Sequence, residues 1–180
     1  MTNETLSINR VDAEAGQQLL PGLTGLLKTV VEDGAAVSFV LPFSEAASRA
    51  FWRDSVLPDV ARGGRVLLTA QVGGAVAGSV QLITSLPPNQ PHRAEVAKLL
   101  VLPAFRRRGI ARRLMLALED AARERGRTLI TLDTRTGDTA ERLYARLGYK
   151  TAGVIPNFAL DPDQSESHAT TYMYKELSET

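Results

Sequence analysis

The sequence predicts a mixed fold of the α/β or α+β class, in which a β-hairpin leads into a strand–helix–strand unit. The glycine pair Gly73-Gly74 joins two β-rich runs, as in a hairpin turn. An apolar strand at 94–101 is followed by an arginine-rich turn and by a helix at 109–125 whose apolar residues form one stripe. A further strand follows at 128–134. This succession favours a parallel strand pair joined by a right-handed crossover.

The remaining elements follow from periodicity and from turn residues along the chain. Leucines at helical spacing predict a helix at 13–31, and Pro21 predicts its interruption because proline lacks an N–H. Ser44 is a suitable N-cap for a second helix, and Gly126 is a suitable C-cap for a later one. In chain order, we predict strands at 5–11, 65–72, 75–84, 94–101, 128–134, 149–154 and 169–177, and helices at 13–31, 44–61, 109–125 and 140–147. Residues 1–180 are expected to form a single domain.

Composition excludes several classes of function. The net charge is +1, with 44% hydrophobic and 23% charged residues, so the bulk charge gives no reason to expect a nucleic acid or a membrane as partner. No apolar run approaches about 20 residues, and residues 1–5 lack the pattern of a secretory signal. The chain has no cysteine and only two histidines, His92 and His168, so we expect no disulfide, no metal and a cytoplasmic location.

The turn after the strand at 94–101 concentrates positive charge. Its arginines are Arg106, Arg107, Arg108, Arg112 and Arg113. The unpaired N–H groups and the dipole at a helix start favour an anion, and Gly109 lets a ligand approach the backbone without a Cβ in the way. The spacing Arg-x-x-Gly-x-Ala differs from both the Walker loop and the dinucleotide fingerprint. The turn therefore predicts a phosphate-binding site of another kind.

Two motifs of the sequence, at residues 106–111 and 140–149, resemble those of the GCN5-related N-acetyltransferases, the GNAT family. Residues 106–111, Arg-Arg-Arg-Gly-Ile-Ala, resemble its Gln/Arg-x-x-Gly-x-Gly/Ala motif. Residues 140–149, Ala-Glu-Arg-Leu-Tyr-Ala-Arg-Leu-Gly-Tyr, resemble its Ala-x-x-Leu-Tyr-x-x-x-Gly-Phe/Tyr motif. The resemblance implies a mixed, largely antiparallel sheet with a parallel strand pair at the coenzyme site and flanking helices. It also implies acetyl-CoA as co-substrate.

Within the family, residues 92–99, 132–134 and 168–170 show a closer resemblance to the tabtoxin-resistance acetyltransferases. Two positions depart from the family pattern. Ala111 replaces the second glycine, which the family tolerates. Gly137-Asp138 stands about where many members carry an asparagine, so the contact made by that asparagine is not carried over.

The resemblance also implies which residues bind the coenzyme. The strand at 99–101 would offer its main-chain groups to the pantetheine arm, as a strand edge offers them to a peptide, and the turn would hold the phosphates. The residues concerned are Leu99, Leu100, Val101, Arg106, Arg107, Arg108, Gly109, Ile110, Ala111 and Arg112.

Two carboxylates are candidates for deprotonating an acceptor amine. A lysine-like amine has a pKa near ~10.4, so at neutral pH it needs a base before it can attack a thioester. Glu95 alternates with Leu99 and Val101, and we expect these side chains to share one face beside the coenzyme. Asp133 ends the next strand, where it could be a second base, a relay or a binder of the substrate ammonium. A surface charge for Glu95 and a cap for Asp133 are the alternatives, and the choice of principal base stays open.

Tyr144 is the candidate proton donor. The resemblance implies a position near the thioester sulfur, where the phenol can protonate the leaving thiolate. The alternative is an amphipathic tyrosine that only packs its helix. Because the chain has no cysteine, we expect direct transfer in a ternary complex rather than an acetyl-enzyme.

The sequence thus predicts an acetyl-CoA-dependent N-acetyltransferase acting on the primary amine of a small molecule or amino-acid-like compound, with antibiotic or toxin resistance as a role. The alternative is a non-catalytic acyl-CoA-binding sensor or interaction module. A nucleic-acid contact is disfavoured because residues 119–124 of the helix carry three acidic side chains. The final strand and its neighbours could pair across a homodimer. Phe39, Phe43 and Trp52 could line a substrate pocket, but we favour core packing.

Overall fold

A mixed seven-stranded sheet forms the centre of the molecule in a computed structural model that describes residues 5–177. Its strands are β1 (Leu6–Val11), β2 (Arg65–Val72), β3 (Ala75–Ile83), β4 (Arg93–Val101), β5 (Leu129–Arg135), β6 (Lys150–Leu160) and β7 (Ser167–Glu176). They lie in the order β1-β2-β3-β4-β5-β7-β6, and every neighbouring pair is antiparallel except β4 and β5. The predicted sheet, largely antiparallel with one parallel pair, is therefore confirmed.

Helices cover both faces of this sheet. They are α1 (Ala13–Glu32), α2 (Glu45–Ala50), a π-helical turn (Phe51–Val56), α3 (Leu57–Ala61), α4 (Ile110–Glu124) and α5 (Thr139–Arg146), with a 3-10 turn at Pro103–Phe105. On one face α4 buries Leu114, and on the other α1 and the π-helical turn bury Leu23 and Trp52. The successive β2 residues Leu67 and Leu68 belong to opposite cores, as the two-residue period of a strand requires.

Helix α1 runs without a break through Pro21, so the predicted interruption at this residue is wrong. Pro21 lies on the exposed side of the helix. Its missing N–H leaves the carbonyl of Gln17 without a helical partner, and because Gln17 is also exposed, water can donate to that carbonyl. Burial of Leu20, Leu23 and Leu27 on the opposite side outweighs the local cost.

The parallel strands β4 and β5 pair only over their first residues. The register joins Arg93, Ala94 and Glu95 to Leu129, Ile130 and Thr131 in turn. Beyond Glu95 and Thr131 the two strands continue but no longer pair with each other, so they diverge toward their carboxyl ends. We call the gap between 96–101 and 132–135 the opening.

A β-bulge in β4 lies beside the opening. The pairing with β3 passes from Ala97 to Leu100 while β3 advances by only two residues, so β4 holds one extra residue here. Lys98, within the bulge, has a φ of +51°, in the left-handed region that few residues other than glycine adopt. The extra residue reverses the alternation of the strand beyond it.

The carboxyl-terminal hairpin is longer than predicted, because β6 continues past residue 154 to Leu160 and β7 begins at Ser167 rather than at residue 169. An irregular register between Ile155 and Ala159, with Asn157 at a φ of +51°, conceals this part of the strand in the sequence. β6 is an edge strand, and its exposed apolar side chains are Val154, Ile155, Phe158 and Leu160.

Candidate active site

The turn between β4 and α4 carries a run of free backbone amides. Among residues 5–177, no group accepts a hydrogen bond from the N–H groups of residues 107–112. The next N–H, that of Arg113, donates to the carbonyl of Gly109 with an N···O distance of 3.1 Å. Consecutive unpaired donors at the positive end of a helix dipole form a site for an anion.

Gly109 is the N-cap of α4 and has a φ of +74°. No side chain caps the helix here. A Cβ built on Gly109 would meet no protein atom within 4 Å, so the fold does not need the missing side chain for space. The glycine instead permits the backbone conformation and leaves the amides open to a ligand.

The arginine side chains of the turn divide into two groups. Arg106 donates to Asp33, just after α1, with an Nη1···Oδ2 distance of 2.6 Å. Arg107, Arg108 and Arg112 are exposed, and none of them makes an ion pair within residues 5–177. Arg106 thus braces the turn against α1, whereas the other three are available to an anion.

The edge of β4 that faces the opening has no strand partner beyond Glu95. Leu99, Leu100 and Val101 lie along this edge, immediately before the turn. Their side chains pack into the cores on the two faces of the sheet. A ligand in the opening would therefore meet their main-chain N–H and C=O groups. Main-chain groups along a free strand edge can bind an extended chain that contains amides.

Glu95 does not share a face with Leu99 and Val101, and the prediction from simple alternation is wrong on this point. Up to the bulge, Glu95 and Ala97 lie on the α1 face of the sheet. Beyond it, Leu100 takes that face, whereas Leu99 and Val101 pack against the core under α4. The extra residue of the bulge is the reason.

Glu95 stands where the opening begins, as the last residue of β4 that pairs with β5. Its side chain is 42% exposed. Arg93 donates to its carboxylate (Nη1···Oε2 3.4 Å) and to Thr131 (Nη1···Oγ1 2.6 Å). The other oxygen, Oε1, has no hydrogen-bond partner within residues 5–177, which leaves it free to accept a proton.

Asp133 lies on the other arm of the opening, two residues beyond Thr131 on β5 and therefore on the same face. Thr170 of β7 donates to it, with an Oγ1···Oδ2 distance of 3.0 Å. In the part of the chain that the structure describes, no cation lies within 4.0 Å of its carboxylate. The structure thus brings Glu95 and Asp133 to one face of the opening.

Tyr144 is a buried residue of α5, and its ring lies 5.8 Å from that of Tyr149. Burial raises the pKa of Tyr144 well above its usual value, and the carboxylates of Asp133 and Asp138 raise it further. The phenol therefore keeps its proton throughout the neutral range. Asp133, which lies at the opening, is thus one of the two charges that act on the phenol.

Lys98 is a charged residue of the site that the sequence interpretation missed. Its Nζ lies 3.2 Å from the hydroxyl of Ser38 and 5.5 Å from the ring centroid of Phe39, both in the loop after α1. Burial lowers the pKa of Lys98, and the carboxylate of Asp133 opposes that shift. A lysine within the apolar run at 94–101 is the signal that could have indicated it.

Two of the three aromatic candidates pack the core, as the sequence favoured. Phe43 and Trp52 are buried beneath α1. Phe39 is half-buried, and its contact with Lys98 brings it to the edge of the site.

The departure from the family pattern at Gly137-Asp138 starts a helix. Gly137 has a φ of +82°, and its N–H donates to Glu141. Asp138 is the N-cap of α5 and accepts from the N–H of Thr139 (N···Oδ1 2.7 Å). These residues therefore fix the first turn of the helix that carries Tyr144.

The described residues contain neither a cluster of metal ligands nor a helix that could span a membrane. Between residues 5 and 177, no three histidine or acidic side chains gather at one point to hold a metal ion. His92 is exposed before β4, whereas His168 lies beside Asp161, with Nε2 4.0 Å from Oδ1. None of the helices in this range is long and apolar enough to cross a membrane.

Comparison with known proteins identifies the family. The sequence profile of the acetyltransferase (GNAT) family matches residues 30–149, more than half of the chain. An uncharacterized N-acetyltransferase from the hisH-hisA intergenic region of Azospirillum brasilense is 32% identical over 108 residues, which are 58% of this chain and 61% of the relative. The match thus spans about three fifths of that curated relative. The chain belongs to the acetyltransferase (GNAT) family, whose members use acetyl-CoA.

Solved structures share the fold. yncA from Salmonella typhimurium, solved with its cofactor acetyl-CoA, gives a TM-score of 0.74 at 20% identity over 97% of this chain and 95% of its own. The ribosomal-protein-alanine N-acetyltransferase of Brucella melitensis gives 0.78 at 22% identity, over 95% and 99%. The N-acetyltransferase from Staphylococcus aureus Mu50 gives 0.78 at 18% identity, over 97% and 99%. At these identities the likeness establishes the fold.

Proposed function

We propose that this protein is an acetyl-CoA-dependent N-acetyltransferase whose acceptor is the primary amine of a small molecule or amino-acid-like compound. The observation that carries the proposal is the opening between β4 and β5, with free amides at 107–112 beside it and two carboxylates on its α1 face. The free amides fit an anionic coenzyme, and the two carboxylates fit an amine. Family membership supports acetyl-CoA as the coenzyme.

The residues around the turn fit the phosphates of acetyl-CoA. The N–H groups of 107–112 can donate to phosphate oxygens, and the exposed Arg107, Arg108 and Arg112 add positive charge. The free edge of β4 at 99–101 can offer main-chain groups to the amides of the pantetheine arm. When bound, acetyl-CoA supplies a thioester carbonyl carbon to which an amine nitrogen can bond.

The side chains at the opening supply proton transfer. Glu95 takes the proton that the amine loses, directly or through a water, as its nitrogen bonds to the acetyl carbon. Asp133 holds the amine in place and acts as a second base or relay. Tyr144 gives its phenolic proton to the sulfur as the carbon–sulfur bond breaks, and solvent returns that proton. One nitrogen–carbon bond replaces one carbon–sulfur bond, so the products are an N-acetylated amine and a free thiol.

The test is release of free thiol from acetyl-CoA by the purified protein in the presence of a panel of primary amines. An amine that stimulates release and is recovered N-acetylated supports the proposal. Varying both substrates for that amine should give intersecting lines, as expected for a ternary complex. Parallel lines would contradict direct transfer. Binding of acetyl-CoA without stimulation by any amine would favour a non-catalytic sensor.

A role in resistance is the finer part of the proposal. It rests on the resemblance of 92–99 and 168–170 to the tabtoxin-resistance acetyltransferases. An amino-acid-like toxin with a primary amine belongs in the same panel. Acetylation that abolishes its toxicity to a growing culture would support this role, and a toxin left unmodified while simple amines react would contradict it.

A further inference from the structure

Lys98 holds its ammonium group in the site without a carboxylate partner. Among residues 5–177, no carboxylate oxygen lies within 4.0 Å of its Nζ. Its close neighbours are the hydroxyl of Ser38 and the ring of Phe39. Arg65, another cation whose field reaches Lys98, is itself paired with Asp59 (Nε···Oδ2 3.0 Å). The ammonium is therefore partly desolvated without a counter-ion, which is unfavourable unless a ligand supplies one.

Asp133 carries the opposite charge and also lacks an ion-pair partner among the described residues. Its carboxylate has the hydroxyl of Thr170 as a partner and no cation within 4.0 Å among the described residues. Lys98 lies three residues past Glu95, the last residue of β4 that pairs with β5. Asp133 lies two residues past Thr131, the partner of Glu95 on β5. The carboxylate of Asp133 raises the pKa of Lys98, yet the two groups do not form an ion pair. Opposite charges thus stand apart on the two arms of the site.

We infer that Lys98 binds a carboxylate on the acceptor, so that the substrate is an amine that also carries a carboxylate group. The opposite charges of Lys98 and Asp133 complement the two ends of such a molecule, because the ammonium can meet its carboxylate and the aspartate can meet its amine. This inference rests on the proposed function and names the acceptor class of the same site.

A purely structural lysine is the competing explanation. Lys98 would then only hold the loop after α1 against β4, through Ser38 and Phe39. A neutral side chain could pack there without losing ionic hydration, so the contact alone does not account for a charge. The two explanations differ in their kinetics. A loop role affects all acceptors equally, whereas a binding role affects only those with a carboxylate.

The test pairs each L-amino acid with its carboxamide, which keeps the amine and removes the negative charge. With saturating acetyl-CoA, the best amino acid should exceed its amide in kcat/KM by about tenfold or more, as expected for one charge-assisted hydrogen bond. Lys98→Met should abolish that preference by raising KM for the acid, with kcat and the values for the amide little changed. Lys98→Arg should keep part of the preference because it keeps the charge.

Lys150→Met is the matched control, since it removes the same charge from an exposed position at the start of β6. Calorimetry with acetyl-CoA should show equal affinity for all these proteins. Amides accepted as well as acids, or an equal loss for both in Lys98→Met, would overturn the inference and leave the proposed function standing. A wild-type protein that binds acetyl-CoA and acetylates no amine would overturn both.

Discussion

The two sides of the opening are built from different parts of the chain. The side that we propose for the coenzyme is mainly backbone from one continuous stretch at 99–112. The side that we propose for the acceptor consists of side chains from separate strands, with Glu95 and Lys98 on β4, Asp133 on β5 and Thr170 on β7. A backbone site depends on local conformation, whereas a side-chain site depends on register. The acceptor side can therefore change while coenzyme binding persists.

The largest effect is expected at the acceptor carboxylates. Glu95→Gln should lower kcat by about 100-fold or more, because it removes the proton acceptor and keeps the shape of the side chain. Asp133→Asn should lower kcat or acceptor affinity as well. Steady-state kinetics of both single variants and of the double variant are the measurement. If the two act as a unit, as we propose, the double variant should lose less than the sum of the single losses. Additive losses would mean that they act independently.

A smaller effect is expected at the backbone of the coenzyme side. Gly109→Val introduces a β-branched residue at a φ of +74°, with a side chain in front of the free amides. Loss of one or two phosphate contacts should weaken acetyl-CoA binding by about tenfold or more in calorimetry. Gly126→Val is the matched control, because Gly126 has a φ of +66° and equally open space just past the other end of α4. Equal affinity losses in the two variants would attribute the effect to strain.

Tyr144→Phe should lower kcat by about tenfold, near or below the lower end of general acid catalysis, because a thiol with a pKa near ~8.5 already leaves readily. Acetyl-CoA affinity should not change. Tyr149→Phe is the control, since it removes the same atom from a neighbouring buried ring. Because burial raises the pKa of Tyr144, the variant should not remove any inflection of the pH–rate profile below about pH 9. A wild-type kcat in Tyr144→Phe would mean that Tyr144 only packs its helix and does not donate a proton.

The smallest effect is expected where the turn meets α1. Arg106→Met and Asp33→Asn each remove one partner of a partly exposed ion pair, at a cost of about 0.2–1 kcal/mol in the free energy of unfolding. A double-mutant cycle by denaturant unfolding should show that the two losses overlap. Acetyl-CoA affinity should stay near that of the wild type. A large loss of affinity in Arg106→Met alone would mean that Arg106 leaves Asp33 to bind the coenzyme.

The coenzyme side could be predicted from the sequence because its signals are local. Gly109 and the arginines before it stand next to each other in the chain, and the helix that follows shows a clear apolar stripe. The parallel strand pair followed from the strand–helix–strand succession, and the largely antiparallel sheet around it followed from the family resemblance. The roles of residues 99–112 in binding acetyl-CoA stay predictions.

The acceptor side could be predicted only in part because its geometry depends on contacts between distant segments. Glu95 was identified from its alternation with Leu99 and Val101, and Asp133 from its place at the end of a strand. The bulge at Lys98 has no sequence signature, and it reverses the alternation beyond it, so the expected shared face was wrong. Arg93 and Thr170, which hold the two carboxylates, were missed because their positions depend on the pairing of β5 with β4 and β7. The interruption predicted at Pro21 was wrong for a similar reason. A helix can accommodate a proline on its exposed side, and which side of α1 is exposed depends on tertiary packing.

The most direct test of this division measures binding and transfer in one protein, the Glu95→Gln/Asp133→Asn double variant. Calorimetry with acetyl-CoA and the rate of amine-dependent thiol release should be determined on the same preparation beside the wild type. The account predicts an acetyl-CoA affinity within about twofold of the wild type and a transfer rate about 100-fold or more lower. An affinity that falls together with the rate, or a rate that survives both substitutions, would contradict it.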